Sequence, residues 1–420
     1  PEAEALSRRR AARVVAAACG IALLTIAPAA SAAQQPPHLS AGAAALYAPA
    51  THQLLYGVNP QRRVAVASAT KLMTALVVLQ HVRRLSTTFV QNDYISAAVD
   101  SQIGLVPGER MSVHDLLLAL MLPSADDAAE DLAFNVGHGS VARFVRMMNA
   151  EAGRLGLRHT HYTTPIGLDI PGNYSTAADL VKLADYDMTR SPYFARIVAL
   201  PRATLHSGNH VRTVVNRNDL VAEFPWIDGV KTGHTLGAGY VLVAAGHRRG
   251  MALISAVLGT DSEHSRDANT LALLNFGAAN FRVWRPLRAG EQLAAPTVKD
   301  RPGMHAPVVA ARGYMRVLAR SDRVRVRVQV PHQLIGPLPA QAVVGVATVT
   351  DGKRVLARVP LLLAHRLPHV SGLTRAARWV TQPLTLLLIA GVVVGGAGLL
   401  LRNVRRRRRT DRRGRELEAT

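Results

Sequence analysis

An uncharged apolar run near the C-terminus sets the strongest limit on what this chain can form. Residues 383–401 carry no charge over 19 positions. At a rise of about 1.5 Å per residue, a helix of that length crosses the hydrocarbon core of a bilayer. Its glycines at 391, 395, 396 and 398 are unfavourable in a soluble core helix and common in membrane spans. The sequence therefore predicts a C-terminal transmembrane helix.

The charges on the two sides of this run indicate its orientation. The tail of residues 402–420 contains nine arginines, whereas the other flank has Arg366, Arg375 and Arg378, with Trp379 as an interface anchor. Cytoplasmic flanks carry the excess of Lys and Arg. We expect a basic cytoplasmic tail at 402–420 and an extracytoplasmic linker at 366–382, so that the chain crosses the cell membrane at 383–401.

The first 32 residues have the three-part pattern of a secretory signal peptide. Arg8-Arg9-Arg10 opens a positive region, residues 14–26 are apolar, and Ala30-Ser31-Ala32 offers a small-residue cleavage site. We predict a mature chain that starts near Ala33, with an uncleaved signal anchor as the alternative. After cleavage, the span up to about residue 381 is expected to be extracytoplasmic, in agreement with the orientation of the C-terminal helix.

Cysteine usage and charge exclude several classes of function. The only cysteine, Cys19, lies inside the predicted signal peptide. A mature chain without it has no thiol nucleophile, disulfide framework or cysteine-based zinc site. The net charge of +22 comes in large part from the two ends, which is typical of topology signals and of attraction to anionic lipid and wall polymer. Because no nucleic-acid-binding motif accompanies this charge, we expect no nucleic-acid partner.

Between the two ends, the hydrophobic periodicity changes along the chain. Helical patterns cover residues 70–81, 113–121, 125–136, 141–155 and 177–188, and strand patterns cover 43–58 (a hairpin), 211–215, 240–245 and 251–259. Residues 285–365 are rich in Val, Pro and Arg and alternate strictly from Arg323 to Val330. The sequence thus predicts an α+β domain over 33–280 and a small all-β domain over 285–365.

Three short motifs occur in one order within the α+β region. In the first, Ser68-Ala69-Thr70-Lys71, a helix would place Lys71 on the face of Ser68, and a neutral Lys could take the Ser proton. The second is Ser124-Ala125-Asp126, and the third is Lys231-Thr232-Gly233. Taken alone, the first two are typical of helix caps and the third of a turn.

The three motifs together resemble the signature set of penicillin-binding proteins and class A β-lactamases. Further segments resemble the low-molecular-mass D-alanyl-D-alanine carboxypeptidases of peptidase family S11: residues 62–73, 148–157, 162–168, 174–180 and 229–235, with 337–362 in the β domain. The likeness extends over about residues 38–365. It implies a penicillin-binding, β-lactamase-like transpeptidase domain followed by the small all-β domain.

The resemblance also implies a reaction. Ser68 would be the nucleophile, Lys71 its general base, and Ser124 a proton relay between the lysines and the leaving group. The substrate would be a peptidoglycan pentapeptide, from which the terminal D-Ala leaves before water hydrolyses the acyl-enzyme. A β-lactam would acylate the same Ser68 as a covalent inhibitor. No cofactor is needed.

The remaining roles that the resemblance implies concern substrate binding. Lys231 and Thr232 would hold the terminal carboxylate, and Gly233 would let the substrate backbone approach closely. Backbone N–H groups of Ser68 and His234 would form the oxyanion hole. Arg266 stands 35 residues after Lys231, where the family has a carboxylate-binding arginine; an ordinary arginine at a helix start is the alternative.

One position departs from the family pattern, which has Asn where this chain has Asp126. Both side chains accept a hydrogen bond, but only the amide also donates one. A carboxylate beside Lys71 favours the ammonium form, which would protonate the base at neutral pH unless Lys231 offsets it. We therefore expect Asp126 to shift the acylation optimum to higher pH.

Several alternatives stay open at this point. The pairs His159/His161 and His206/His210 have ligand-like spacing, but without HExxH or a carboxylate cluster we expect no metal site. A class A β-lactamase would need a loop Glu that is not found between Ser124 and Lys231. A D,D-endopeptidase would share every motif, and a wall-binding or β-lactam-sensing protein has support only from Asp126. The β domain is expected to be a stalk, with partner binding as the alternative.

Overall fold

The structure is a computed structural model that describes residues 35–97, 100–369 and 383–417. The predicted signal peptide, Cys19, Trp379 and most of the predicted linker lie outside the described residues. The described helices are α1 (Lys71–His81), α2 (Val113–Met121), α3 (Asp126–Val136), α4 (Val141–Arg154), α5 (Ala177–Arg190), α6 (Pro192–Val198), α7 (Leu220–Glu223), α8 (Glu263–Asn280) and α9 (Pro383–Leu417).

Helices α1 to α5 begin and end within two residues of the predicted helical patterns. Local chemistry explains several of the starts. The hydroxyls of Ser112, Ser140 and Thr176 accept hydrogen bonds from backbone N–H groups three residues later and so cap α2, α4 and α5. Helix α8 was not predicted. Ser262 caps it in the same way.

The strands of the α+β region are β1 (Ala43–Ala48), β2 (Gln53–Val58), β3 (Thr88–Val90), β4 (Arg110–Ser112), β5 (Arg202–Leu205), β6 (Arg212–Val215), β7 (Ile227–Thr235), β8 (Gly239–Arg248) and β9 (Met251–Thr260). Five of them form one antiparallel sheet in the order β2-β1-β9-β8-β7. Residues 231–233, typical of a turn when taken alone, lie inside β7 at the edge of this sheet. The alternative of a turn is therefore wrong for these residues.

Helices cover both faces of this sheet. All six residues of β1 are buried, and they alternate between two cores. Ala43, Ala45 and Tyr47 belong to the core that α1 to α6 build on one face. Ala44, Leu46 and Ala48 belong to a second core, which contains Leu273, Leu274 and Phe276 of α8. The architecture is α+β, as predicted.

A β-rich region follows α8. Its strands are β10 (Phe281–Leu287), β11 (Gln292–Ala294), β12 (Thr297–Val298), β13 (Arg301–His305), β14 (Val308–Ala310), β15 (Tyr314–Ala319), β16 (Val324–Gln329), β17 (Gln333–Leu334), β18 (Val343–Asp351) and β19 (Arg354–Leu363). The largest sheet has the order β11-β14-β19-β18-β16. A core of its own includes Val349, Val359 and Leu361. The alternation from Arg323 to Val330 does form a strand, β16; the domain limits stay a prediction.

Helix α9 carries the C-terminal apolar run. Residues 383–406 are long and apolar enough to cross a membrane, and only 6% of the apolar window is buried against the rest of the protein. An exposed apolar helix of this length is costly in water, because each buried CH₂ is worth about 0.8 kcal/mol. The helix therefore fits a membrane anchor.

Candidate active site

Ser68 lies in a single 3-10 turn, Ala67–Thr70, which leads directly into α1. The residue before it, Ala67, has a left-handed backbone with φ of 47°. The cap of α1 is Thr70, and no side chain caps the helix. The helix-cap interpretation of Ser68 is therefore wrong, and its hydroxyl is free for another partner.

That partner is Lys71, whose ammonium nitrogen lies 2.8 Å from the Ser68 hydroxyl oxygen. The Lys71 side chain is fully buried, with 0% exposed. It also donates to Asp126 Oδ1 at 2.5 Å and to the Ile166 carbonyl at 3.2 Å. Asp126 and the Ile166 carbonyl thus hold Lys71 Nζ at hydrogen-bond distance from the hydroxyl that it would deprotonate.

Ser124 lies between α2 and α3 in a strained conformation. Its φ is +68°, which costs a residue with a side chain about 1–2 kcal/mol. Its buried hydroxyl has no hydrogen-bond partner among the residues that the structure describes. The cap of α3 is Ala125, so the N-cap interpretation of Ser124 is also wrong. Strain and an unpaired hydroxyl at one residue are typical of a functional position.

Strand β7 brings the third motif against the Ser68 turn. A Cβ added to Gly233 would lie 2.9 Å from the Ser68 backbone nitrogen and 3.0 Å from Ala67 Cβ, so only glycine allows this approach. Lys231 is 1% exposed and donates to the Thr232 carbonyl at 3.0 Å. His234 is exposed and stacks on Tyr240, with ring centroids 4.1 Å apart. The three motifs thus meet at one edge of the central sheet.

Arg266 lies in the first turns of α8 and is 2% exposed. Its Nε donates to Asp267 Oδ1 at 2.8 Å, and its Nη1 donates to Glu263 at 3.2 Å. Its charge also contributes to lowering the pKa of Lys231. Arg266 is thus near the site, as the resemblance implied, but two acidic neighbours hold its guanidinium. Its role as a carboxylate ligand stays a prediction.

The charges in the site are coupled. Burial lowers the pKa of Lys71 from its ordinary value, and Asp126 acts in the opposite direction. Burial raises the pKa of Asp126, and Lys71 counteracts that shift. Burial also lowers the pKa of Lys231 strongly, with the charge of Lys71 as the next cause. Low solvation therefore favours the neutral amine that a general base requires.

An open cavity of about 730 Å³ adjoins these residues. Its lining includes Pro123, which precedes Ser124 in the chain, and Arg217, which lies between β6 and α7. It also includes Glu263, which accepts a hydrogen bond from Arg266. Ser68 is not part of this lining. Lys71, Ser124 and Lys231 do not line it either, so the cavity is a neighbouring cleft and not the catalytic pocket itself.

Comparison with known proteins decides the family. The family model for peptidase S11, described as D-alanyl-D-alanine carboxypeptidase, matches residues 29–262. The chain belongs to peptidase family S11. Across 290 residues it is 31% identical to the D-alanyl-D-alanine carboxypeptidase DacF of Bacillus subtilis, covering 67% of this chain and 74% of that protein. Across 347 residues it is 30% identical to the D-alanyl-D-alanine carboxypeptidase DacD of Escherichia coli, covering 78% of this chain and 87% of that protein.

Solved structures show the same relationship. Penicillin binding protein 5 from Haemophilus influenzae superposes with a TM-score of 0.65 at 27% identity, covering 80% of this chain and all of that one. Penicillin binding protein 6B from Escherichia coli superposes with a TM-score of 0.64 at 28% identity, covering 79% and 97%. This chain is therefore a serine peptidase with the fold of the penicillin-binding carboxypeptidases, and the predicted resemblance is confirmed.

Some residues of this S11 site carry no sequence motif and were missed. The charge of Arg217 lowers the pKa of both Lys71 and Lys231. Burial raises the pKa of Tyr94 to about 12, with Asp100 as the next cause. Burial raises the pKa of Glu130 to about 7, and the negative charge of Asp126 is the next largest cause. Only the fold brings these groups together.

The histidine pairs considered as metal ligands lie in loops of the α+β region. His161 Nδ1 lies 2.7 Å from the Gly172 carbonyl, and His159 Nδ1 lies 3.5 Å from Arg63 Nη2. Within residues 35–97, 100–369 and 383–417, no three His, Cys, Asp or Glu side chains are grouped so as to hold a metal ion.

Replacing Asp126 with Asn is expected to move the acid limb of the pH profile of kcat/KM to lower pH by about 1–3 units. Asp126 opposes the downward pKa shift of Lys71, so the pKa of Lys71 falls further without it. The neutral base then persists to lower pH, and this limb reports the free enzyme.

The neighbouring Asp127 provides the matched control. Its carboxylate accepts the backbone N–H groups of Ile103 and Leu105, at 3.1 and 3.0 Å, instead of Lys71. Asp127→Asn removes the same charge one residue away and should leave the acid limb in place. An Asp126→Asn profile with the wild-type acid limb would refute the coupling.

Proposed function

We propose that this chain is a serine D-alanyl-D-alanine carboxypeptidase, which removes the terminal D-Ala from peptidoglycan stem pentapeptides and is inhibited covalently by β-lactams. The observation that carries the proposal is the 2.8 Å contact between Lys71 Nζ and Ser68 Oγ, made by a lysine whose pKa burial lowers. A buried amine with a lowered pKa, at hydrogen-bond distance from a serine, is an activated nucleophile pair.

In the proposed reaction, Ser68 Oγ transfers its proton to Lys71 and attacks the carbonyl carbon of the penultimate D-Ala. The C–N bond breaks, and the leaving D-Ala nitrogen receives the proton through the unpaired Ser124 hydroxyl. Water then attacks the acyl carbon of the Ser68 ester while Lys71 accepts its proton, the bond between that carbon and Ser68 Oγ breaks, and Lys71 returns the proton to Ser68 Oγ. The nucleophile and its base are regenerated, so the sequence of steps balances without a cofactor.

Binding of the substrate is assigned to β7. Support comes from Gly233 of the edge strand β7, which approaches the Ser68 backbone closely, so that an extended peptide can pair with the strand there. Lys231 and Thr232 are proposed to hold the terminal carboxylate, with the charges of Arg217 and Arg266 in support. The N–H groups of Ser68 and His234 are proposed to stabilise the tetrahedral oxyanion.

We also propose a topology for the chain. Helix α9 anchors a single-pass protein in the cell membrane, with the catalytic region outside and the basic tail in the cytoplasm. The nine arginines that follow the apolar run support this orientation. The site would then face the peptidoglycan, which is its proposed substrate.

The decisive experiment incubates the full chain, in detergent, with a muramyl pentapeptide and with a cross-linked muropeptide dimer. Release of free D-Ala from the pentapeptide, and a labelled penicillin attached to the peptide that contains Ser68, are expected. Ser68→Ala should abolish both. Cleavage of the dimer alone would identify the protein as an endopeptidase. Penicillin labelling without release of D-Ala would identify it as a β-lactam-sensing protein.

A further inference from the structure

Positive charge is concentrated in the β-rich region. Residues 281–369 contain 15 Lys and Arg against four Asp and Glu, a net charge of +11. Residues 35–280, which build the catalytic region, contain 20 against 19, a net charge of +1. The charge excess between the two ends of the chain therefore belongs to the region next to the predicted membrane span.

Part of this excess forms one surface, which we name the basic sheet face: Arg325, Arg327 and Arg358. Along β16, Arg325 and Arg327 are exposed and alternate with valines that pack against the core. Arg327 pairs with Thr348 of β18, which pairs with Arg358 of β19. Two strand spacings, about 10 Å, thus separate Arg327 from Arg358 on the same face.

The three arginines of the basic sheet face have no acidic partner among the described residues, since none of them forms an ion pair there. The exposed Arg312, after β14, adds to the positive charge, since its Nη2 donates to the Arg358 carbonyl at 3.4 Å. Such a surface attracts anions over about 8–10 Å at moderate ionic strength.

Protection of a sheet edge explains only part of this pattern. Strand β16 is an edge strand, and charged side chains on an edge prevent pairing with another chain. That accounts for Arg325 and Arg327. Arg358 lies on β19, two strands away from β16, so it does not protect the β16 edge. A row of arginines that continues into the sheet indicates a binding surface.

The covalent chain keeps this surface close to the membrane. Between His369 and the start of α9 at Pro383 lie 13 residues. An extended chain spans at most about 3.6 Å per residue, so this segment reaches no further than about 50 Å. Since α9 fits a membrane anchor, the local concentration of lipid headgroups at the basic sheet face is high.

We propose that the basic sheet face docks on anionic phospholipid headgroups of the membrane that holds α9, so that the β-rich region lies against the bilayer. This would replace the expected stalk. Each arginine near an anionic surface favours the docked state roughly fivefold. The proposal depends on anchoring by α9 and is independent of the proposed peptidase activity.

The experiment uses the full chain in nanodiscs of phosphatidylcholine, with or without phosphatidylglycerol, and a quencher on the lipid headgroups. A fluorophore is attached at Thr348→Cys, between Arg327 and Arg358, in a Cys19→Ser background that leaves one thiol. The test variant is Arg325→Gln/Arg327→Gln/Arg358→Gln. The control, Arg285→Gln/Arg288→Gln/Lys299→Gln, removes three exposed charges elsewhere in the β-rich region. Circular dichroism verifies that both variants fold.

Quenching is expected with phosphatidylglycerol and not with phosphatidylcholine alone, and salt should weaken it. The test variant should lower the ratio of docked to undocked protein by about a hundredfold, whereas the control should retain docking. Equal quenching in nanodiscs with and without phosphatidylglycerol overturns the proposal. An equal loss of docking in the test variant and the control variant also overturns it. Binding to soluble poly(glycerol phosphate) without docking on the bilayer also overturns it and identifies a wall polymer as the partner. A chain that does not co-purify with nanodiscs refutes the anchoring itself.

Discussion

Replacing Lys71 with Met is expected to slow acylation of Ser68 by labelled penicillin by about 10²–10⁴-fold, the usual contribution of general base catalysis. Met has a similar length but no amine, so the proton of Ser68 Oγ loses its acceptor at 2.8 Å. The same change leaves the Asp126 carboxylate buried without its cation. Breaking a buried ion pair from one side costs about 3–5 kcal/mol of unfolding free energy.

The double variant Lys71→Met/Asp126→Asn separates these two effects. It removes the stranded carboxylate, so most of the lost stability should return, while acylation should stay as slow as in Lys71→Met. Acylation is followed with labelled penicillin, and stability by denaturant unfolding of the full chain in detergent. Recovery of the acylation rate in the double variant would show that Lys71 only neutralises Asp126 and is not the base.

The parts of the fold that the sequence predicted are those where local signals agree with tertiary structure. Helices α1 to α5 have regular apolar spacing, and three of them have a Ser or Thr cap, so their limits could be predicted within two residues. Strand β7 has no such alternation. Eight of its nine residues are buried or half-buried, because the strand packs on the Ser68 turn and on the helices. A strand that is buried on both faces shows no period of two.

In the active site, too, some features could be predicted from local sequence signals and others depend on tertiary packing. Ser68, Lys71 and Lys231 could be found from motif order, because the chemistry fixes their residue types. The left-handed backbones of Ala67 and Ser124 could not, since nothing in their side chains requires a positive φ. Nor could the pairing of Arg266 with Asp267, because residues one apart on a helix do not usually face each other. Sequence motifs identify the reacting groups, whereas the contacts that shift their pKa values arise only in the folded structure.

Replacing Gly167 with Ala is expected to slow acylation at least about a hundredfold and to destabilise the protein by about 2–5 kcal/mol. Gly167 has a φ of +98°, and an added Cβ would overlap the Ala67 carbonyl and lie 2.9 Å from Thr70 Oγ1. The loop and the Ser68 turn would have to separate. That movement displaces the Ile166 carbonyl, which accepts a hydrogen bond from Lys71, and small displacements of catalytic groups cost about 10²-fold.

Gly156→Ala is the matched control, because Gly156 also has a positive φ, +68°, but an added Cβ there meets nothing within 4 Å. Gly156→Ala should lower the free energy of unfolding by about 1–2 kcal/mol, the strain of a left-handed backbone at alanine, and should leave the acylation rate unchanged. The difference between the two variants measures the close approach of the loop to the Ser68 turn, apart from glycine's conformational freedom. If Gly167→Ala acylates as fast as Gly156→Ala, the loop does not hold Lys71 in place, and Asp126 alone must position the base.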